Sequence, residues 1–117
     1  MAFMIFNRGF TAVAKGSLNL FSDFEDDGPM WSGQGPREVR RRIDYGVTFI
    51  EPPMVHVSLG MWDVSNQTNI RIQVTAEEVE DTGFALSLRT WADTRIARAA
   101  VSWLAVGMVH DPDLWQL

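Results

Sequence analysis

An all-β domain, a six-stranded antiparallel β-sandwich, is what this chain predicts, and three observations predict it. Apolar and polar residues alternate along most of its length, the period-2 pattern of strands with one buried face. Clusters of Gly, Pro, Asn, Asp and Ser interrupt those runs at short intervals, as turns do. No stretch holds the apolar spacing of a long helix. Several short strands with polar turns and no helix indicate a small sandwich.

Taken in order, Phe10 to Phe21 is the first strand, with Gly16 expected to mark a bulge or bend. Ser22 to Arg37 is a loop rich in Asp, Gly and Pro that carries Met30 and Trp31. Val39, Arg41, Ile43, Tyr45, Val47 and Phe49 alternate as one face of a strand. Glu51-Pro52-Pro53 ends it, because proline cannot donate to a sheet ladder. Met54 to Asp63 follows, with Val55, Val57 and Leu59 on its apolar face. Ser65 to Asn69 is turn chemistry, and Ile70, Ile72 and Val74 form the next apolar face. Glu77 to Thr82 is an acidic connection. Phe84, Leu86 and Leu88 then alternate in a strand that runs through a tight polar corner, Thr90 to Thr94, into an apolar strand from Ile96 to Val106. Trp103 belongs to the core of that last strand. Residues 13–108 make the domain, with an N-terminal arm at 1–12 and a C-terminal tail at 109–117.

Composition bounds the function. At 117 residues the chain is one domain, long enough to bury a core without staples. It has no cysteine, which removes disulfides and thiolate metal sites. A net charge of −5 argues against a nucleic-acid partner, since phosphate binding needs clustered Lys and Arg. Nine of the ten basic residues are arginine, a planar donor fork suited to oriented polar ligands. No segment offers the roughly 20 apolar residues that span a bilayer, so no membrane insertion is expected. The apolar start, MAFMIF, lacks a basic region before it and makes a poor secretory signal. His56 and His110 have no evident Ser or Asp partner, and the carboxylates show no acid–base spacing. The reading is not an enzyme.

The run from Pro52 to Gly107 resembles the H-type lectin domain, the carbohydrate-binding module of snail agglutinins and of the discoidin C-terminal domain. The residues that carry it are Pro52-Pro53, Asp63, Asn69-x-Arg71, Gly83-Phe84, Thr90-Trp91, Thr94 and Ser102-Trp103, with Asp26 to Trp31 and Gly35 to Glu38 extending it upstream. The resemblance implies a trimer with shallow sites for galactose or N-acetylgalactosamine at subunit boundaries. It also makes Arg71 the donor to sugar hydroxyls. Its acidic companion in the family falls on Gln34, a histidine contact on Ala92 and an aromatic on Ala97.

The carbohydrate-binding residues expected here are Arg71, Gln34, Ser32, Gly33, Trp91 and Asp93. A guanidinium fork can serve two neighbouring hydroxyls at once. The Ser32-Gly33-Gln34 loop supplies backbone and amide groups. Trp91 is read two ways, as a stacking surface for a pyranose or as a core residue at the sandwich edge. Asp93 is expected to pair with Arg95 and hold the turn. Trp62 is core, interface or ligand platform.

Asp23 to Gly28 imitates the start of a calcium loop, but Glu25 and Gln34 fall where ligands should be, so it reads as solvated loop. No cofactor or metal is expected. Arg40-Arg41-Arg42 reads as a strand edge with Arg41 facing opposite to its neighbours. Asn66-Gln67-Thr68 matches a glycosylation acceptor. The leading function is a non-catalytic, homotrimeric lectin, extracellular or on a particle surface. The alternative is a structural or host-attachment subunit of a phage-like or virion particle, anchored by the N-terminal arm.

Overall fold

A computed structural model describes residues 2–6 and 9–111. The tail positions Pro112 and Trp115, and Arg8 of the arm, lie outside the described residues. The elements are β1 (Phe10–Phe21), α1 (Asp23–Asp26), α2 (Pro29–Ser32), β2 (Arg37–Asp44), β3 (Met54–Val64), β4 (Ile72–Glu77), β5 (Gly83–Thr90) and β6 (Ile96–Val109). They form two antiparallel three-stranded sheets, ordered β1-β6-β3 and β2-β5-β4. The six-stranded sandwich expected from the sequence is the fold.

The two central strands carry the core between the sheets. Phe84, Leu86 and Leu88 of β5 face Ala99, Val101 and Ala105 of β6, and all six are buried. Leu20, Met30 and Ile43 close the sides. Val55, Val57 and Leu59 line the β3 contribution, as their alternation requires. Tyr45 stacks on Phe84 at 5.9 Å, and Trp103 meets both rings at 6.1 and 5.9 Å. Trp103 is thus half-buried and packs against the core cluster, as its position in an apolar strand predicts.

Several elements differ from expectation for identifiable reasons. Gly16 is no bulge: it pairs in regular register with Trp103. Its missing side chain makes room for that indole, since a Cβ there would lie 2.6 Å from Trp103 Nε1. The irregularity of β1 falls instead between Asn19 and Phe21. β1 spans Phe10–Phe21 as expected, so residues 10–12, which the expected domain bounds assign to the arm, pair with Gly107 to Val109 of a longer β6. β2 stops at Asp44, whose Oδ1 accepts from Gly46 N at 2.8 Å while Gly46 takes a left-handed φ of +78°. Tyr45 and Phe49 are still buried, tied by their amides to Thr82 and Asp81 carbonyls. Ile70 lies before β4 and is exposed rather than in an apolar face. The expected loop after β1 contains two single helical turns, too short to show any apolar period.

β5 and β6 do not pair with each other; each is the centre of its own sheet. The polar corner between them crosses from one sheet to the other at the sandwich edge.

On the outer face of β2-β5-β4, Glu77 accepts from Arg89 at 2.6 Å, from Arg40 at 2.7 Å and from Thr75 at 2.8 Å. Glu38 accepts from Ser87 and lies 3.1 Å from Arg89. Arg41 points the other way, as alternation requires, and donates to Leu20 O at 2.9 Å across the gap between sheets. Hydrogen bonds from Arg89, then Arg40 and Thr75, hold the Glu77 carboxyl down at about 2. A carboxylate whose pKa is depressed by folding stabilises fully above its ordinary value of about 4.3 and progressively less below it. The melting temperature should accordingly fall as pH drops from about 4.5 towards 2. Glu77→Gln should melt lower at neutral pH and lose part of that acid dependence. Parallel pH profiles for the two proteins would exclude Glu77 as a source of it.

Candidate functional site

The corner between β5 and β6 is held by two threonines. Thr94, fully buried, donates from Oγ1 to Asn69 O at 2.7 Å and accepts from Arg71 N at 3.0 Å. Thr90 Oγ1 donates to Arg71 O at 2.6 Å. The backbone of Asn69-Ile70-Arg71 is thereby fixed against the corner, which places Arg71 just ahead of β4. Its Nη1 donates to Asp93 Oδ1 at 3.1 Å. Asp93 also accepts from Asn69 N at 3.4 Å. That backbone hydrogen bond, with a smaller contribution from the Arg71 charge, keeps the Asp93 carboxyl below the usual range. Asp93 is thus ionised at neutral pH and orients the Arg71 fork.

This corrects the expected pairing of Asp93 with Arg95. Arg95 turns the other way: its Nε donates to Trp31 O at 2.9 Å and its guanidinium sits 4.3 Å from the Trp31 ring centroid. Local spacing favoured the neighbour two residues away, whereas the sheet-crossing corner sends the two side chains to different elements.

The second wall is the loop after α2. Gly35 N donates to Ala92 O at 2.9 Å, joining that loop to the corner. Gly35 has φ +75° and Ala92 φ +59°, so both sides of the junction use left-handed backbone. Gly33 is closely packed: a Cβ there would lie 2.6 Å from Pro29 O. Arg37, unassigned in the sequence reading, staples the assembly. Its Nε donates to Gly35 O at 2.9 Å, its Nη2 to Ala92 O at 3.2 Å, and its Nη1 to Pro29 O and Met30 O, each at 3.3 Å. Burial pulls its pKa down from the ordinary arginine value. Nothing in the sequence marks it beyond the Gly35-Pro36-Arg37 run.

Of the expected site residues, Arg71 and Asp93 are in contact, and Gly33 and Gln34 lie on the loop that Gly35 joins to the corner. Gln34 is exposed. Ser32 is partly committed, donating from Oγ to Asp27 O and Gly28 O at 2.9 Å. Trp91 is 42% exposed, which decides against the core reading. It borders a shallow hollow of about 380 Å³ together with Gln73, Arg89 and Glu38. Trp62 is also exposed.

Asp23, expected as solvated loop, ties that loop together: its Oδ2 accepts from Met30 N at 2.9 Å in the first turn of α2. Among the described residues no group of three or more His, Asp or Glu is placed to hold a metal ion. No helix among them is long and apolar enough to cross a membrane.

Fold and corner together define a β-sandwich whose polar groups converge at one edge between loops. The chain belongs to the H-type lectin domain family, which matches residues 40–106. It is similar to a Fuscovulum blasticum protein called ATP synthase subunits region ORF 7, at 46% identity over 90% of this chain and 91% of that one. Two structures of discoidin II from Dictyostelium discoideum share the fold. The recombinant protein gives a TM-score of 0.72 at 21% identity over 86% of this chain, and the wild-type protein 0.74 at 20% over 91%. The chain spans only 38% and 40% of those two discoidin II chains.

Proposed function

We propose that this protein is a non-catalytic lectin, homotrimeric, binding galactose-type or related cell-surface glycans at the Arg71 corner. The observation that carries the reading is the Arg71 guanidinium oriented by Asp93 at the same corner that bears the exposed Trp91. That combination offers fixed donors for hydroxyls and an apolar surface for a pyranose ring. Membership in the H-type lectin family and the discoidin-like fold support the class of ligand. Gln34, Ala92 and Ala97 set this chain's version apart: the first is a neutral acceptor, and the other two are short side chains at positions where family contacts fall. Such a site binds one sugar weakly, and three sites on one face raise avidity by roughly 10²–10⁴ where geometry permits.

Arg71→Ala should abolish glycan binding on an array that includes bacterial polysaccharides. The pair it removes is exposed, so the melting temperature should change little. Gln34→Asp should strengthen binding to galactose-type sugars, because an ionised acceptor bonds more strongly than a neutral one. Wild-type binding that survives Arg71→Ala unchanged would move the site elsewhere. Light scattering checks the trimer.

A second reading, an attachment subunit of a larger particle, rests on the N-terminal segment, where Phe3, Ile5 and Phe6 are all exposed. Deleting residues 1–9, just ahead of β1, should leave the sandwich folded and remove assembly into larger bodies. Assembly that persists without the segment counts against this reading.

A further inference from the structure

Two three-stranded sheets have four edges, and three of them are guarded against pairing with another chain. β2 is charged at Arg37, Glu38, Arg40, Arg41, Arg42 and Asp44. β4 is only 6 residues long. β3 starts after Pro52-Pro53 and loses register between Leu59 and Met61 and again between Asp63 and Val64. Charge, shortness, proline and bulges are the devices that blunt an edge. β1 has none of them over most of its length. It pairs with β6 alone, in unbroken register from Phe10 to Asn19, and Lys15 is its only charged residue. Every second residue of β1 thus turns its N–H and C=O away from the sheet. Arg41 occupies the far end of this edge by donating to Leu20 O at 2.9 Å. Among the described residues no strand reaches the stretch from Phe10 to Asn19 on that side.

The segment ahead of β1 matches that edge. Ala2 to Phe6 is uncharged, belongs to no strand or helix, and exposes Phe3, Ile5 and Phe6. Its own sheet offers it no continuation, because β6 ends at Val109, opposite Phe10. Gly9, at φ +135°, turns the chain out of the line of β1 in a conformation that glycine adopts readily. Side-chain sizes also fit. Extended backbone puts Phe3 and Ile5 on one side of the segment and Met4 and Phe6 on the other. Along β1 the inward residues Ala12 and Ala14 are small and half-buried, while Val13 on the outer face is 63% exposed. Large apolar side chains on a fourth strand would therefore find room on both faces.

We propose that residues 2–6 add as a fourth strand to the Phe10–Asn19 edge of β1 in a neighbouring copy of this chain. Main-chain hydrogen bonds supply the affinity and alternate side chains the register, as when an extended peptide joins a sheet edge. The occupant is a second copy because edge and segment lie in one chain, both nearly free of charge, and the segment is not laid on its own edge. That edge begins at Phe10, yet Phe3 and Ile5 stay exposed in the single chain. A copy that passes its segment to a neighbour offers its own edge in turn, so the exchange closes into a reciprocal pair or a ring. It rests on the homotrimer reading above for the number of copies alone and asks nothing of the glycan site. Phe3, Ile5 and Phe6 are then committed inside the oligomer rather than offered to another body.

The chain has no cysteine, so disulfide trapping tests this directly. Residues opposite one another on paired strands are within disulfide reach. Ile5→Cys protein carrying a size tag, mixed with untagged Thr11→Cys, Ala12→Cys, Val13→Cys or Ala14→Cys protein and mildly oxidised, should cross-link to at least one of the four. It should not cross-link to Ser58→Cys, on the opposite edge strand. In the unmodified chain, amides of residues 2–6 should exchange at least about tenfold slower in concentrated than in dilute protein. Val13→Lys gives β1 the charge that another edge carries, and Ile5→Pro removes a donor. Each should abolish that slowing and raise the dissociation constant of the oligomer at least about tenfold, with the circular dichroism of the sandwich kept, since both positions are exposed. A chain carrying Ile5→Cys and Val13→Cys that closes on itself, while the mixtures give nothing, would overturn the proposal in favour of back-folding. A trimer whose residues 2–6 exchange fast at every concentration would overturn it and leave the trimer standing. A monomer at every concentration would overturn both and leave the glycan site untouched.

Discussion

Replacing Phe84 by Ala should cost about 3–5 kcal/mol of folding stability, the range for deleting a large ring from a closed core. Phe84 has no exposed surface and stands in the central strand β5 against Tyr45 and Trp103. Its ring is the meeting point of three segments: β5, β6 and the turn after β2. A cavity there has little chance of collapsing, because the residue before it cannot move. Gly83 runs so close to β2 that a Cβ would lie 2.2 Å from Ile43 O. For a domain of this size the melting temperature should fall by roughly 12–20 °C. Phe84→Leu, which keeps most of the volume, should lose about 1.5 kcal/mol. Chemical denaturation monitored by tryptophan fluorescence measures both. A loss below about 1 kcal/mol for Phe84→Ala would mean that the aromatic cluster does not organise the core.

The strands that carry this core were legible because each has one buried face. Phe84, Leu86 and Leu88 alternate, as do Val55, Val57 and Leu59, and no other period fits them. Which strands pair was less legible. A short polar corner between two apolar strands has the same composition whether it closes a hairpin or crosses between sheets, and here it crosses. Tyr45 and Phe49 kept the alternation of a strand after the strand had ended, because burial continues through a turn that the Asp44–Gly46 bond defines. Gly16 was visible as a special position, but its cause, the Trp103 indole, lies 87 residues away in sequence. Long-range partners of this kind leave no local trace.

The same holds at the candidate site. Arg71, Thr90, Trp91 and Thr94 were found through a family pattern, and the threonine hydrogen bonds give two of them a physical role. The partner of Asp93 leaves no trace in the sequence, where an oppositely charged residue at i+2 looks like the natural pair. Arg37 was invisible for a different reason. Four carbonyl oxygens on three segments converge on its guanidinium, and carbonyl positions are set by tertiary structure rather than by side-chain identity.

Arg37→Ala should therefore damage both stability and ligand binding. Its guanidinium bridges Gly35 O, Ala92 O, Pro29 O and Met30 O, holding the α2 loop to the sheet-crossing corner. Hydrogen bonds from a charged donor contribute about 1.5–3 kcal/mol each in favourable cases. Two of these carbonyls keep another donor, Ala92 O from Gly35 N and Pro29 O from Gly33 N. The net loss should then be about 2–3 kcal/mol rather than the sum of four bonds. Freed of the staple, the Gly33–Gly35 loop would sample positions away from Ala92, and a glycan site spanning loop and corner would lose its preorganisation. Affinity should fall at least about tenfold, equivalent to about 1.4 kcal/mol. Arg37→Lys keeps the charge but loses the planar fork, so it should recover part of the stability and little of the binding. Thermal melts and glycan titrations on the three proteins separate these effects. If Arg37→Ala melts lower yet binds as wild type, the α2 loop takes no part in recognition and the corner acts alone.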